Sequence, residues 1–232
     1  MAGESTRGVV YCIETVLGGL VKIGMTASDQ FEKRMYILES NGYQNITGLK
    51  RRFAIEVDDY TRKETLLHNV FSGCRIGNTE LFAVDADRVV ELMAALDGKV
   101  VYPKNSSREA EFVAASEAVQ EARDRELIPN GIYSLTGSRT GFGRVSATMK
   151  VEDHKFIVLA GSTKCDVRMK NPPALVLNAK AIDHRLTENV ECTSPSTAAS
   201  VVLGVSADGW MRWKNEKGEA LNVYRKGNHE PG

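Results

Sequence analysis

Five polar side chains in the first third of the chain have the types and spacing for acid–base and anion-binding chemistry. They are Tyr11, Lys22, Arg34, Glu64 and His68. Glu64 and His68 stand four residues apart, so on a helix they share one face, where the imidazole could hydrogen-bond the carboxylate. The planar fork of an arginine can hold two phosphate oxygens. A phenol with a pKa of about 10 is a poor base at neutral pH unless a nearby positive charge favours its phenolate.

Short apolar segments and turn signals predict the elements that must position these side chains. Gly18-Gly19 is predicted to join the first two strands as an antiparallel hairpin. Ser28 or Asp29 is predicted to cap the first helix, which Asn41-Gly42 ends. The predicted strands are 8–13, 20–24, 50–57 and 81–84, and the predicted helices start near 28 and span 61–71 and 86–96. The order β-β-α-β-α-β-α makes a small α/β sandwich in an α+β fold.

The rest of the chain predicts a linker and a second domain. Residues 104–127 are polar and rich in Ala and Glu, which is typical of a linker helix. Beyond Pro129, short strands punctuated by Gly, Pro and Asn predict a mainly β domain. Its predicted elements are strands at 132–135, 145–151, 155–160 and 221–224, a strand or helix near 174–179, and a helix at 196–203 after the cap Ser194. The predicted domains are therefore 1–98, a helical linker 99–128, and 129–232.

The charge of the chain does not identify a partner. Lys+Arg and Asp+Glu both number 30, so contact with nucleic acid must come from local patches. Residues 1–98 hold 11 basic and 14 acidic residues, whereas residues 129–232 hold 14 and 10. The positive excess therefore lies in the C-terminal part.

Cysteine spacing and hydropathy predict a cytoplasmic protein with no membrane partner. Cys12, Cys74, Cys165 and Cys192 form no C-x-x-C pair, which predicts free thiols in a reducing compartment and neither a zinc site nor a disulfide framework. The first residues contain no apolar run, and no window approaches the roughly 18 apolar residues of a membrane span.

The spaced motifs resemble those of the GIY-YIG nuclease superfamily. They are Gly8-Val-Val-Tyr11, Lys22-Ile-Gly-Met-Thr26, Arg34, Glu64 within Arg62 to His68, and Glu80-Leu-Phe82. A lysine at the start of the second motif is typical of the T5orf172-like branch, in which Lys-Ile-Gly replaces Tyr-Ile-Gly. The resemblance implies the sandwich fold and divalent-metal-dependent hydrolysis of phosphodiester bonds in DNA.

The same resemblance implies roles for the residues of the first two strands and the first helix. Tyr11 is expected to face the scissile phosphate, and Lys22 to contact that phosphate or polarise Tyr11. Gly24 has no side chain to block the approach of the DNA backbone. Arg34 is expected to hold phosphate oxygens and stabilise the transition state.

The resemblance further implies that Glu64 binds the metal ion, Mg²⁺ or Mn²⁺. A lone carboxylate suits an ion that keeps several waters and takes other ligands from the phosphate. His68 hydrogen-bonds Glu64 or a metal-bound water, acts as the base, or is an ordinary helix-surface residue. Glu80 is expected to support Arg75 or Arg34 without binding metal. The other residues expected to bind substrate are Gly24, Thr26, Lys33, Arg51 and Arg75.

The C-terminal part resembles the DUF4357 family, a domain of uncharacterised function. The residues that carry this resemblance are Phe156 to Ser162, Thr193 to Ala199, Gly204, Gly209 to Trp213, and Gly218. Six aromatic and basic side chains could form a surface that stacks on bases and contacts phosphates: Arg168, Lys170, Trp210, Arg212, Trp213 and Lys214. Alternatively, the two tryptophans fill the core of the domain.

The sequence thus predicts a metal-dependent DNA endonuclease whose C-terminal domain grips or selects DNA, in restriction or phage defence. Two alternatives stay open. One is a DNA- or protein-binding module on a nuclease scaffold without cleavage, which the neutral net charge and the missing second tyrosine favour. The other is a regulatory subunit whose C-terminal domain binds a partner protein such as a methyltransferase or a defence-system component.

Overall fold

The computed structural model describes residues 7–225, and its N-terminal part is built on a five-stranded antiparallel sheet. The strands lie in the order β4-β2-β1-β3-β5, with β1 in the centre. They are β1 Arg7–Glu14, β2 Val21–Ala27, β3 Lys50–Asp58, β4 Leu81–Phe82 and β5 Lys99–Tyr102. Three helices pack on the sheet: α1 Phe31–Asn41, α2 Tyr60–Val70 and α3 Ala86–Ala94. As predicted, strands β1 and β2 pair antiparallel, and residues 15–20 form the connection between them.

Both faces of the central strand are buried, because side chains alternate along a strand and helices cover both sides. Val10 and Cys12 join a core cluster with residues of α2 and α3. Val9, Tyr11 and Ile13 join a separate cluster with residues of α1. This arrangement explains why the sequence of β1 is an unbroken apolar run, and it confirms the predicted α+β sandwich.

The first helix begins later than the sequence predicts. Residues Ser28–Gln30 form a 3-10 turn, so neither Ser28 nor Asp29 caps α1, and that part of the prediction is wrong. The end of the helix is as predicted. Gly42 adopts a φ of 78°, which glycine tolerates without strain, and its N–H donates to the Leu38 carbonyl at 2.9 Å.

The N-terminal sheet extends beyond the predicted domain limit at residue 98. Strand β5 pairs with β3, so residues 99–102 belong to the sheet and not to the linker. Helix α4, Arg108–Glu126, forms the linker helix, and the chain divides into two compact units between Gln120 and Glu121. Ala115 of α4 packs into the core cluster of α2 and α3. Among residues 7–225, neither α4 nor any other helix has the length and apolar character needed to cross a membrane.

The C-terminal unit is mainly β, as predicted. Its strands are β6 Gly131–Arg139, β7 Gly143–Glu152, β8 Lys155–Val158, β9 Ala181–Ile182, β10 Arg185–Leu186 and β11 Val190–Cys192. Four of them form an antiparallel sheet in the order β11-β8-β7-β6, and β9 pairs with β10. The helices are α5 Ala174–Asn178, α6 Pro195–Leu203 and α7 Gly209–Arg212.

The sequence predicts the start of helix α6 correctly but mispredicts the last element of this unit. The Ser194 side chain accepts a hydrogen bond from the Thr197 N–H and caps α6, as predicted. Residues 221–224 form a 3-10 turn, so the predicted last strand is wrong. The segment before this turn meets its neighbour through a single bridge, between Ala220 and Lys214, which is too little pairing to sustain a strand.

Candidate active site

Gly24 leaves the space in which Tyr11 and Lys22 approach each other. In the β1–β2 register Tyr11 lies opposite Gly24, and Lys22 lies opposite Ile13 on the same face of the sheet. A Cβ added to Gly24 would lie 2.7 Å from the Tyr11 hydroxyl and 2.8 Å from the Lys22 Nζ. The space that the sequence analysis assigned to a DNA backbone is therefore filled by two side chains of this chain.

Arg34 connects helix α1 to Tyr11. Its Nε donates a hydrogen bond to the Tyr11 hydroxyl oxygen at 3.2 Å, which leaves the hydroxyl proton free for another acceptor. Burial raises the pKa of Tyr11, and the hydrogen bond and charge of Arg34 lower it only in part. The phenol is therefore protonated at neutral pH, and it is Arg34 that moderates its pKa. No described residue accepts a hydrogen bond from the two Nη atoms of Arg34.

Lys22 is fully buried and paired with Glu80. Its side chain is 0% exposed, its ammonium group donates to the Glu80 carboxylate, and it lies 5.4 Å from the centroid of the Tyr11 ring. Burial lowers the pKa of Lys22, while the hydrogen bond and charge of Glu80 oppose that change. Glu80 was expected to support Arg75 or Arg34, and its hydrogen-bonded partner is instead Lys22, because a buried ammonium requires a carboxylate nearby. The pKa of Arg34 is raised by its hydrogen bond to Tyr11 and also by the charge of Glu80, so the expected support of Arg34 stays a prediction.

Tyr43 belongs to the same cluster and was missed by the sequence analysis. Its ring lies under the Lys22 ammonium, 4.5 Å from ring centroid to Nζ, and its hydroxyl accepts a hydrogen bond from the Glu80 N–H at 3.3 Å. Tyr43 follows Gly42 in a short loop, where no periodicity applies. The one available signal was an aromatic residue directly after a helix-ending glycine.

Glu64 and His68 lie together on helix α2, as their spacing predicts. The Glu64 Oε1 and the His68 Nε2 are 3.6 Å apart. The same Nε2 is 3.1 Å from the Ile23 carbonyl oxygen, which can only accept a hydrogen bond, so this nitrogen carries a proton. His68 therefore holds α2 against β2 through Nε2, and that atom is not a base. Its ring also packs on Phe82, with centroids 5.0 Å apart.

The charge of Glu80 acts on both the Glu64 carboxylate and Tyr11. Burial raises the pKa of Glu64, nearby His68 lowers it, and the charge of Glu80 raises it again. The charge of Glu64 in turn raises the pKa of Tyr11 and of Lys22. Strand β4 pairs with β2 at residues 21–22, and the next groups on that edge are also bonded, the Ile23 N–H to the Glu80 carbonyl and the Ile23 carbonyl to His68. Glu64 thus belongs to one electrostatic cluster with the residues of the opposite sheet face.

The structure gives the other predicted substrate-binding residues different surroundings. Arg51 is engaged within the chain, because its guanidinium donates to both oxygens of Glu39, at 2.9 and 2.8 Å, and to Glu32 at 2.9 Å. The expectation that Arg51 binds substrate therefore has no support. Arg75 is exposed and donates to the Thr79 carbonyl at 2.6 Å. Lys33 is exposed on α1, and Thr26 is half-buried on the Tyr11 face of β2.

The described residues contain no preformed multi-ligand metal cluster. No group of three or more His, Cys, Asp or Glu side chains within residues 7–225 is placed to hold a metal ion. Glu64 is nevertheless a suitable ligand. Its side chain is 12% exposed, no described residue donates a hydrogen bond to its carboxylate, and the His68 Nε2 lies 3.6 Å away. A mostly buried carboxylate without a hydrogen-bond donor is commonly paired with a cation.

The proposed aromatic surface of the C-terminal unit does not exist. Trp210 is 1% exposed and Trp213 is 0% exposed, and both belong to the core of the unit. The Trp213 Nε1–H donates to the Pro195 carbonyl at 3.0 Å, which satisfies the indole in the interior. The alternative interpretation, in which the tryptophans fill the core, is confirmed.

Fold and site together define a two-domain protein in which a small α+β domain carries a cluster of Tyr, Lys, Arg and Glu side chains. Comparison with protein families identifies both parts. Residues 8–97 match the T5orf172 domain and residues 138–225 match the domain of unknown function DUF4357. The chain thus contains a segment that matches the T5orf172 domain, followed by a segment that matches DUF4357, which confirms both resemblances. A T5orf172 domain is consistent with a nuclease-like or DNA-binding module. No curated protein and no solved structure matches the chain significantly.

Proposed function

We propose that this protein is a divalent-metal-dependent endonuclease that hydrolyses phosphodiester bonds in DNA. The observation that carries the proposal is the meeting of the Tyr11 hydroxyl and the Arg34 guanidinium at 3.2 Å, within the electrostatic reach of Glu64. These three side chains come from β1, α1 and α2. The proposal rests on the contact of one phosphate-binding fork, Arg34, with one phenol, Tyr11, and on the charge of one carboxylate, Glu64, that acts on Tyr11.

Arg34 is placed to bind the substrate phosphate. Its Nε is engaged by Tyr11, which fixes the plane of the guanidinium and leaves both Nη atoms without an acceptor among the described residues. A guanidinium binds two phosphate oxygens in this way and stabilises the charge that develops in the transition state. Tyr11 keeps its proton at neutral pH and accepts from Arg34, so its O–H is available to donate to a phosphate oxygen or to the attacking water.

Glu64 is the residue that would hold a Mg²⁺ or Mn²⁺ ion, because its carboxylate is sheltered and lacks a close partner. Such an ion, when bound, supplies charge neutralisation for the leaving oxygen and lowers the pKa of a bound water. The proposal gives Lys22 no direct contact with substrate, because its side chain is fully buried. Its role in the proposal is to hold Tyr11 and Glu80 in place. The context proposed for this activity is restriction or phage defence, on the family resemblance.

A cleavage assay on plasmid, linear duplex and single-stranded DNA with millimolar Mg²⁺ or Mn²⁺ tests the proposal. We expect wild type to cut at least one substrate, and Glu64→Gln and Arg34→Ala to reduce the rate about 100-fold or more. Arg88→Ala is the matched control, because Arg88 is exposed on α3, away from these contacts. Absence of cleavage by wild type, or undiminished cleavage by both site variants, rejects the endonuclease assignment.

One observation favours a second candidate, a module that binds DNA without cutting it. The raised pKa of Tyr11 and the neutralisation of Lys22 by Glu80 leave the cluster without an evident base in the chain itself. For such a module, we expect metal-independent binding of duplex DNA with a steep dependence on salt concentration and no cleavage products.

A further inference from the structure

The C-terminal unit carries a group of cationic side chains that are gathered at one end of its β6–β7 hairpin and are not neutralised by ion pairs. Three lysines of the unit are neutralised by ion pairs: Lys150 with Glu152 at 2.8 Å, Lys155 with Glu191 at 3.3 Å, and Lys180 with Glu188 at 3.3 Å. Nine other cations between residues 129 and 225 make no ion pair with any described residue, and five of these nine lie around the turn between β6 and β7. These five, which we call the hairpin-end cluster, are Arg139, Arg144, Lys164, Arg168 and Arg185.

Several contacts bring the hairpin-end cluster together at the turn between β6 and β7. The Arg139 Nη1 donates to the Asp166 carbonyl at 3.0 Å, which joins the hairpin to the segment that contains Lys164 and Arg168. A Cβ added to Gly141, in the turn itself, would lie 3.3 Å from the Nη2 of Arg168. The guanidinium of Arg168 therefore lies directly over the hairpin turn.

A third segment completes the cluster. The His184 ring meets the ring of Phe142 edge-on, with centroids 4.9 Å apart, and its carbonyl accepts a hydrogen bond from the Lys164 N–H at 2.9 Å. Next to it, the Arg185 Nη1 donates to the Gly161 carbonyl at 3.1 Å. Backbone carbonyls thus fix two of the guanidiniums without cancelling their charge.

The surroundings of the cluster leave it positive. The nearby carboxylates are those of Asp166 and Asp183, both exposed, and the Asp166 carboxylate lies 3.9 Å from the His184 Nδ1. Five cations therefore face two carboxylates in a molecule whose total charge is zero. Arg144 and Arg168 are exposed and donate no side-chain hydrogen bond to any described residue, so their guanidiniums are free to bind an external ligand.

We propose that the hairpin-end cluster binds the phosphate backbone of a nucleic acid. Four of its five cations are arginines, whose planar forks match phosphate oxygens and lose little freedom when backbone contacts hold them. The side chains lie on three separate segments, as expected for a surface that contacts successive phosphates and not a single small anion. A second binding surface on the same chain also raises the effective concentration of DNA at the N-terminal unit. The binding itself does not depend on cleavage.

Fluorescence anisotropy with a labelled 20-base-pair duplex tests this surface in the full chain, with EDTA present so that no cleavage occurs. The test variant is Arg144→Glu/Arg168→Glu. The matched control is Arg212→Glu/Lys214→Glu, which makes the same change in charge at two exposed positions of the same unit. Lys214 forms a β-bridge with Ser134, which precedes Arg139 by five residues on β6. The control positions therefore lie toward the end of β6 that is far from the hairpin-end cluster.

We expect the test variant to bind the duplex at least tenfold more weakly than wild type at about 0.1 M salt. We also expect its plot of log K against log salt to lose a slope of about two, one per phosphate contact removed. The control should stay within threefold of wild type. Circular dichroism must show that both variants keep the wild-type fold.

Equal weakening in both double variants, or none in either, overturns the proposal. Displacement of the duplex by a polyglutamate peptide of equal charge at equal concentration also overturns it, because it would make an acidic protein the partner. The result is separable from the endonuclease assignment. If wild type cuts DNA but the test variant binds as tightly as wild type, only the proposed binding surface is rejected. If wild type never cuts DNA but the test variant binds more weakly as expected, the proposed binding surface stands and the endonuclease assignment is rejected.

Discussion

The ammonium group of Lys22 is buried and hydrogen-bonded to the carboxylate of Glu80, 58 residues further along the chain. The two residues lie in the second motif and in the Glu80-Leu-Phe82 motif that closes the domain. A lysine can occupy the buried position of the second motif only if a carboxylate compensates its charge. The pair therefore explains physically how this chain combines a lysine in one motif with a glutamate in the other.

We predict that Glu80→Gln destabilises the N-terminal unit by about 2–3 kcal/mol, because it leaves the buried Lys22 charge uncompensated. This is less than for a fully buried pair, since the Glu80 side chain is 36% exposed. The double variant Lys22→Met/Glu80→Gln should regain part of the loss. Both tryptophans lie in the C-terminal unit, so tryptophan fluorescence in urea reports that unit and serves as the internal control, while circular dichroism reports both units. Equal stability of the Glu80→Gln and double variants contradicts the coupling.

The Gly24→Ala substitution should abolish or strongly reduce DNA cleavage while the protein still folds. The new methyl group would meet the Tyr11 hydroxyl and the Lys22 Nζ at less than 3 Å, so these atoms must move. Overpacking of this kind costs about 1–3 kcal/mol. Gly73→Ala is the control, because an added Cβ there meets no atom within 4 Å. Wild-type cleavage rates in Gly24→Ala would show that the Tyr11 position is not required.

Replacement of Arg34 by lysine should slow cleavage about 100- to 1000-fold, although the charge is kept. A lysine cannot donate to the Tyr11 hydroxyl and still present a two-pronged fork to the phosphate. Single-turnover rates on plasmid DNA measure the effect, and Arg88→Lys on α3 controls for the loss of a guanidinium. If Arg34→Lys cleaves as fast as wild type, Arg34 acts only as a positive charge.

The Glu64→Gln variant should be more stable than wild type at neutral pH, by roughly 0.5–2 kcal/mol, when metal is removed with EDTA. Burial raises the folded-state pKa of Glu64 above its ordinary value of 4.5, so the folded protein binds more protons than the unfolded chain between these two values. Wild-type stability therefore falls as pH rises through that window. Urea unfolding at pH 4 and pH 7 measures it. A stability difference that does not shrink toward pH 4 would contradict the assigned cause.

One of the four thiols should react rapidly with a thiol reagent at pH 8 in the folded protein, and all four after denaturation. Cys74 is exposed, whereas Cys12, Cys165 and Cys192 are buried. Burial also raises the pKa of Cys192 to about 12, so its reactive thiolate is scarce. Cys74→Ser should remove the rapid phase. A second rapid thiol would show that one of the cores opens readily.

Much of the fold was predictable from local signals. The apolar run of β1, the Gly18-Gly19 turn and the glycine that ends α1 each predict their element from neighbouring residues. The misassigned elements depend on distant partners. Strand β5 exists because β3 offers it a pairing edge, and residues 221–224 form a turn because no strand lies beside them.

The sequence by itself determined the residue types of the site and the helical spacing of Glu64 and His68, because side-chain chemistry and the i, i+4 relation are local properties. Only the tertiary structure decided which charges meet. It paired Lys22 with Glu80 and engaged Arg51 with Glu39, so neither cation is free for a substrate. The reason is that Coulomb interactions and desolvation depend on distances in space, and sequence separation does not fix those distances.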